Sequence, residues 1–309
     1  MKSTNAAADT NDRLRRLATY ASVAVAGILI VTKLVAYMTT NSVAMLSALI
    51  DSTVDLLASL VTLFGVASAL RPPDRKHRYG YGKAEPLAAL TQGAFIIGSS
   101  VLLGYEALHR LLEPEPPIET GVGYSVMALA IGLTLALVWF QSYVVKRTGS
   151  MAISADSLHY RGDLFVNLAV IIALALGEIT GSGLFDPIFA LGIAAILIFG
   201  AVKIARGALF VLLDRELPEH ERDAVRALVR SHPQVRGIHD LRTRSDGDRK
   251  FIEFHLELDG QLTLTAAHDI ADAIERQLRA EFAAAEILIH QEPAGLDDER
   301  LDKRVEEGG

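Results

Sequence analysis

Residues 41–70 read NSVAMLSALIDSTVDLLASLVTLFGVASAL. This run has no Lys, Arg or Pro and is long enough to cross a bilayer, whose hydrocarbon of about 30 Å needs roughly 20 mostly apolar residues. Two carboxylates, Asp51 and Asp55, nevertheless stand inside it, four residues apart. On a helix that spacing puts both on one face, about 6 Å apart along the axis. Charge inside a span is costly and marks function by default. Taken alone the pair is either a functional site or a structural hydrogen-bonding device. A second apolar run, 152–177, repeats the spacing with His159 and Asp163. If the two helices face each other, three carboxylates and one imidazole converge. Zinc accepts imidazole nitrogen and carboxylate oxygen in a four-coordinate site. Three carboxylates against one divalent ion leave a surplus negative charge that lets protons compete, and a histidine titrates near neutrality. With all four ligands from the chain, no coordination position is reserved for catalysis, which favours carriage over hydrolysis.

The rest of the chain supports a membrane reading. Of 309 residues, 50% are hydrophobic and only 6% aromatic, with a mean hydropathy of +0.29. Besides 42–70 and 152–177, spans are expected at 14–38, 84–111, 120–146 and 186–211. The first is longer than the apolar core of a signal peptide and is followed by five more, so it reads as an uncleaved helix. Positive charge sits on alternate loops: Arg13, Arg15 and Arg16; Arg71, Arg75, Lys76, Arg78 and Lys83; Lys146 and Arg147; Arg206 and Arg215. The loops 39–41, 113–119 and 178–186 carry no Lys or Arg. By the positive-inside rule both termini are cytoplasmic. Asp156 shares a face with His159 and Asp163 and reads as lining of the route in or as surface charge. Lys33 reads as a snorkelling structural residue, and His109 and Arg110 as boundary residues. The chain has no cysteine, which excludes disulfide frameworks and Cys-based zinc or iron–sulfur sites. The net charge of −7 argues against a nucleic-acid partner.

After Leu213 the composition changes. Residues 1–213 have a net charge of +2 and residues 214–309 a net charge of −9, and the latter hold six of the nine histidines. The expected organisation is a cytoplasmic segment 1–13, a transmembrane domain 14–213, a cytoplasmic domain 214–295 and a frayed tail 296–309. In the cytoplasmic domain, 218–232 reads as a helix, 235–244 and the alternating FIEFHLEL of 251–258 as strands, 265–282 as a helix and 286–290 as a last strand. The order α-β-β-α-β predicts a small open sheet with helices on one face.

These features resemble the cation diffusion facilitator family, in particular its bacterial zinc and ferrous-iron efflux branch, over about residues 14–293. The motif residues are Asn41-Ser42-Val43-Ala44 with Asp51-Ser52 and Asp55, then Tyr79-Gly80-Tyr81-Gly82-Lys83-Ala84-Glu85, then His159-Tyr160 with Asp163. The resemblance implies six transmembrane helices followed by an α+β, ferredoxin-like, metallochaperone-like cytoplasmic domain, in a homodimer of the bacterial inner membrane. Metal would be exchanged for protons by alternating access, with Asp51, Asp55, His159 and Asp163 as transport ligands. The resemblance also implies a loop site at Asp74 and His77, weakened because Tyr81 stands where a second histidine is usual. A cytoplasmic binuclear site would use His239, His255, His268, His290, Gln291 and Glu292, the last in place of the usual Asp. Lys83 and Asp214 match a charge interlock. Six histidines in a small acidic domain support that second site independently; scattered surface histidines are the bland alternative.

The leading expectation is a proton-coupled exporter of Zn²⁺, with Fe²⁺ and Cd²⁺ as further candidates; Zn²⁺ would also be the regulatory ion. The alternative is a membrane-anchored metal sensor working through the tail. No His-Glu-x-x-His, Gly-x-Ser-x-Gly, P-loop or dinucleotide-binding pattern is present, so an enzyme is not expected.

Overall fold

The computed structural model describes residues 2–41, 43–113, 121–296 and 300–308. The chain divides into two compact units, Met1–Leu209 and Phe210–Gly309, close to the boundary expected at 213. Ser42 and most of the acidic loop expected at 113–119 lie outside the described residues, as does position 120 at the start of the fourth span.

The first unit is built from α1 (Lys2–Thr40), α2 (Val43–Ala69), α3 (Ala84–Leu112), α4 (Gly121–Thr148), α5 (Met151–Thr180) and α6 (Phe185–Leu212). All six contain stretches long and apolar enough to cross a membrane. Helix α1 begins well before the expected residue 14, because alanines at 6–8 carry the helix on ahead of the apolar run. It stops at Asn41, whose φ of 51° leaves the helical basin while its N–H still bonds Tyr37 O at 2.7 Å. Asparagine tolerates that left-handed geometry. Helix α5 starts where Ser150 Oγ accepts the Ile153 N–H and ends at Gly181, φ 70°.

Small residues let the helices approach closely. A Cβ on Gly162 would lie 2.8 Å from Leu197 Cδ1, so α5 meets α6 tightly one residue before Asp163. Ile96, Ile193, Leu197 and Ala201 form the apolar core around that contact. A buried ion pair at one end, Arg15 with Glu85 at 3.6 Å, joins α1 to α3, and Arg15 also donates to Thr148 O of α4 at 3.0 Å.

Two polar residues sit differently from expectation. Asp156 is fully buried rather than lining or surface. It accepts from Ser22 Oγ at 2.6 Å, Gln141 Nε2 at 2.6 Å and Gln92 Nε2 at 3.2 Å. Ser22 also meets Ser59 Oγ at 2.8 Å, and Ser59 meets Tyr160 OH at 2.8 Å. Donors from α1, α3 and α4 thus share one carboxylate, and α2 joins the network through Ser59, because a buried charge must be satisfied by donors. Lys33 does not snorkel to an interface: its Nζ donates to Ser52 Oγ at 2.6 Å, next to Asp51 in α2.

The second unit contains α7 (Glu219–Arg230), β1 (Gly237–Ser245), β2 (Lys250–Leu258), α8 (Leu264–Glu281), β3 (Ala285–Pro293) and α9 (Leu301–Gly308). Strand order is β1-β2-β3, with β1 antiparallel and β3 parallel to β2. The expected ferredoxin-like α+β arrangement is present. Ile252, Phe254, Leu256 and Leu258 of β2 face Val225 and Val229 of α7 and Ile270, Ile274 and Leu278 of α8 in one core. Period-two alternation sends Glu253, His255 and Glu257 to the opposite face. The tail differs from the frayed segment expected over 296–309. Leu301–Gly308 forms α9, and Asp240 of β1 accepts the N–H groups of Leu301 and Asp302 at 2.9 Å each.

Candidate metal centres

Within the helical unit, Asp55 of α2 and His159 and Asp163 of α5 converge. His159 Nε2 lies 2.9 Å from Asp55 Oδ1 and 4.0 Å from Asp163 Oδ2. Their ligand atoms all fall within 4.8 Å of one another. The i,i+4 spacing on α5 and the close approach of α5 to its neighbours produce this meeting. Asp51, one turn from Asp55, is not in that cluster. Three of the four expected ligands therefore meet, and Asp51 stands beside them. Lys33, read from sequence as a snorkelling structural residue, brings a cation to the same region. The signal was there to read: a lone Lys in an apolar helix, at the depth of two acids.

The loop between α2 and α3 is self-contained. Asp74 Oδ1 accepts from the N–H groups of Lys76 at 2.8 Å and His77 at 2.7 Å, and Oδ2 accepts from Tyr81 OH at 2.7 Å. His77 lies 3.4 Å from Asp74 and packs on the Tyr81 ring. The Tyr81 hydroxyl, with the two backbone donors, holds the Asp74 carboxyl well below the usual carboxylate range, and the same bond pushes the Tyr81 phenol up. Tyr81 fills the place of a second histidine with a hydrogen bond, and both Asp74 oxygens have internal partners.

The cytoplasmic unit builds a second cluster from strand register alone. His239, His255 and His290 are aligned across β1, β2 and β3, with ring centroids 5.0 Å and 4.6 Å apart. The next row aligns Gly237, Glu257 and Glu292. Glu292 lies 3.1 Å from His239 Nε2 through one oxygen and 3.1 Å from His255 Nδ1 through the other. His239 Nδ1 lies 3.0 Å from Glu257 Oε1. His239 and Glu292 are buried, with side chains 5% and 6% exposed. Both nitrogens of His239 and Oε1 of Glu292 make no well-aligned hydrogen bond despite those distances. Buried, close and misaligned donors and acceptors suit a shared cation, so the residues fit zinc.

Two expected members of this cluster are elsewhere in the chain. Gln291 pairs with Leu256, on the opposite face from His290. His268 is on α8, 3.9 Å from Asp272, and exposed. Glu257 was not expected as a member, although the alternation of FIEFHLEL already puts it on the face of His255. Of the interlock pair, Asp214 lies 3.7 Å from Arg244 within the cytoplasmic unit, and Lys83 precedes the first residue of α3. The two belong to different units.

Comparison with known proteins agrees with these two halves. The profile of the cation efflux transmembrane domain matches residues 19–213, and that of the cation efflux protein cytoplasmic domain matches 217–294. A cation-efflux pump FieF from Yersinia enterocolitica is 45% identical over 284 residues, covering 92% of this chain and 94% of its own length. One from Shewanella oneidensis is 45% identical over 282 residues, covering 91% and 95%. Among solved structures, the metal-bound C-terminal domain of a CzcD transporter from Thermotoga maritima is similar at 28% identity, with a TM-score of 0.25, over 26% of this chain and all of that one. With six apolar helices, a matching cytoplasmic domain and relatives similar over nearly their whole length, the chain belongs to the cation efflux family of multi-pass membrane transporters, the cation diffusion facilitators.

Proposed function

We propose that this transporter is a homodimeric antiporter of the bacterial inner membrane that exports Zn²⁺ from the cytoplasm in exchange for protons, with Fe²⁺ and Cd²⁺ as further substrates. The observation that carries the reading is the Asp55–His159–Asp163 cluster inside the helical unit. Two carboxylates and an imidazole match the donor preferences of zinc, and Asp51 supplies a fourth ligand when metal draws the helices together. The same groups take up protons, so metal and protons compete for one site; that is the minimum an exchanger needs. Cytoplasmic termini follow from the positive loops. The bundle would rock about the site to expose it to either side. The histidine row of the cytoplasmic unit is a regulatory zinc site: His239, His255, His290 and Glu292 hold the ion, and its charge offsets the acidic surface between two copies. His268 and Gln291 would join only from the partner.

The test is zinc flux into proteoliposomes under an imposed pH gradient. Wild type should transport in proportion to the gradient, and Asp55→Ala should lose that flux. A folded Asp55→Ala protein that transports at the wild-type rate overturns the site assignment. Manganese carried far better than zinc overturns the choice of metal.

A further inference from the structure

The cytoplasmic histidine cluster has one wall that the family's cytoplasmic domain does not supply. That domain ends at residue 294, and the wall begins at Arg300. Arg300 Nη2 donates to Glu257 Oε1 at 2.8 Å, the same oxygen that lies 3.0 Å from His239 Nδ1. A second connection runs through the backbone. Strand β1 is irregular between His239 and Arg242, and Asp240 there takes a left-handed φ of 51°. Its N–H donates to Asp302 Oδ2 at 2.8 Å. Its own carboxylate receives the N–H groups of Leu301 and Asp302 at 2.9 Å each. The start of α9 and the irregular residue beside His239 therefore hold each other reciprocally. Gly237 leaves the room this needs, since a Cβ there would lie 2.6 Å from Glu257 Oε2.

We propose that the C-terminal segment, Arg300 with α9, is a latch that fixes Glu257 against His239 and thereby sets the zinc affinity of the cytoplasmic site. Glu257 is a positioning residue: its Oε1, 3.0 Å from His239 Nδ1, is placed to take that N–H once the ring turns to give Nε2 to the metal beside Glu292. A metal-bound histidine generally gives its other N–H to a carboxylate, which fixes the tautomer and ring plane. Arg300 holds that carboxylate in turn, and the Asp240–Asp302 pair fixes the backbone that aims His239. By linkage, metal binding and latch closure must favour each other to the same degree. The inference rests on the regulatory zinc site proposed above.

The full-length chain in detergent tests it, carrying Asp55→Ala to silence the transport site, with Zn²⁺ alone as probe and a chromophoric chelator as competitor. Arg300→Ala, Glu257→Gln and a chain ending at residue 296 should each bind zinc about tenfold more weakly or worse, the range found for outer partners of metal ligands. Arg300→Lys, which keeps the charge, should recover part of the loss. Hydrogen exchange at Leu301 and Asp302 should slow when zinc is added. If Glu292→Ala weakens zinc but Arg300→Ala and the shortened chain do not, the latch is wrong and the site stands. If Glu292→Ala also has no effect, the regulatory site fails and the latch with it. Exchange at Leu301 and Asp302 that ignores zinc likewise overturns the latch.

Discussion

A single buried carboxylate in the helical unit ties more of the protein together than any ligand does. Asp156 accepts from Ser22, Gln141 and Gln92 and is fully buried. Removing it leaves donors from three helices with no acceptor, and each unsatisfied buried group costs about 1–3 kcal/mol. Asp156→Ala should therefore melt several degrees below wild type in detergent, whereas Ser154→Ala, two residues earlier on α5, should not; equal melting temperatures would show that water or lipid headgroups replace the lost acceptor. At Asp74 the prediction concerns pH. Donation from Tyr81 and two backbone N–H groups lowers its pKa. The ionised form is thus favoured in the folded loop, and the loop's stabilisation is present above the ordinary value of 3.8 and lost as pH falls through the depressed value. Tyr81→Phe should move the Asp74 midpoint upward, as read by carboxyl carbon NMR. A midpoint that stays put would mean the backbone donors alone hold it down.

At the scale of elements, what the sequence discloses depends on whether the pattern is local. Six apolar runs, the α-β-β-α-β order and the i,i+4 pairs are local, and spans, strands and the meeting of Asp55, His159 and Asp163 could all be read from them. The burial of Asp156 could not, because it depends on donors contributed by three other helices, which no window along one helix contains. The cytoplasmic cluster lies between these cases. Alternation already put Glu253, His255 and Glu257 on one face, but only the register of three strands puts His239, His255 and His290 in a row and Gln291 on the other side. The tail read as frayed because it is charged and ends in two glycines; its hold is polar, through Asp240 and Glu257. The sheet itself depends on helices behind it. Ile274 of α8 is fully buried against Ile252 and Leu256, and Ile274→Ala should cost about 2–5 kcal/mol. Faster amide exchange across β1, β2 and β3 in the full-length protein, with α2 and α5 unchanged, is the expected reading. Exchange that rises equally in all of them would mean that the two units do not unfold separately.

For the molecule as a whole, the division of charge and of candidate metal ligands into two units makes the proposed carriage and the proposed regulation separable by mutation. The helical unit carries the cluster of Asp55, His159 and Asp163, and the cytoplasmic unit the cluster of His239, His255, His290 and Glu292. If the first moves the ion and the second tunes the movement, single substitutions should produce opposite phenotypes. Asp55→Ala should abolish gradient-driven zinc flux while equilibrium dialysis still finds zinc on the cytoplasmic unit. Glu292→Ala should lose that bound zinc, because it removes the carboxylate shared by His239 and His255, and should retain flux at saturating zinc. Stripping wild type with a chelator and returning metal should restore both signals, with the transport site alone sensitive to the imposed pH gradient. A membrane-anchored sensor predicts the reverse: function lost with Glu292→Ala and untouched by Asp55→Ala. Anchoring alone gives no reason for acids inside the apolar helices α2 and α5. Acids in membrane-spanning helices are costly, and the proposed transport site accounts for them where an anchor does not.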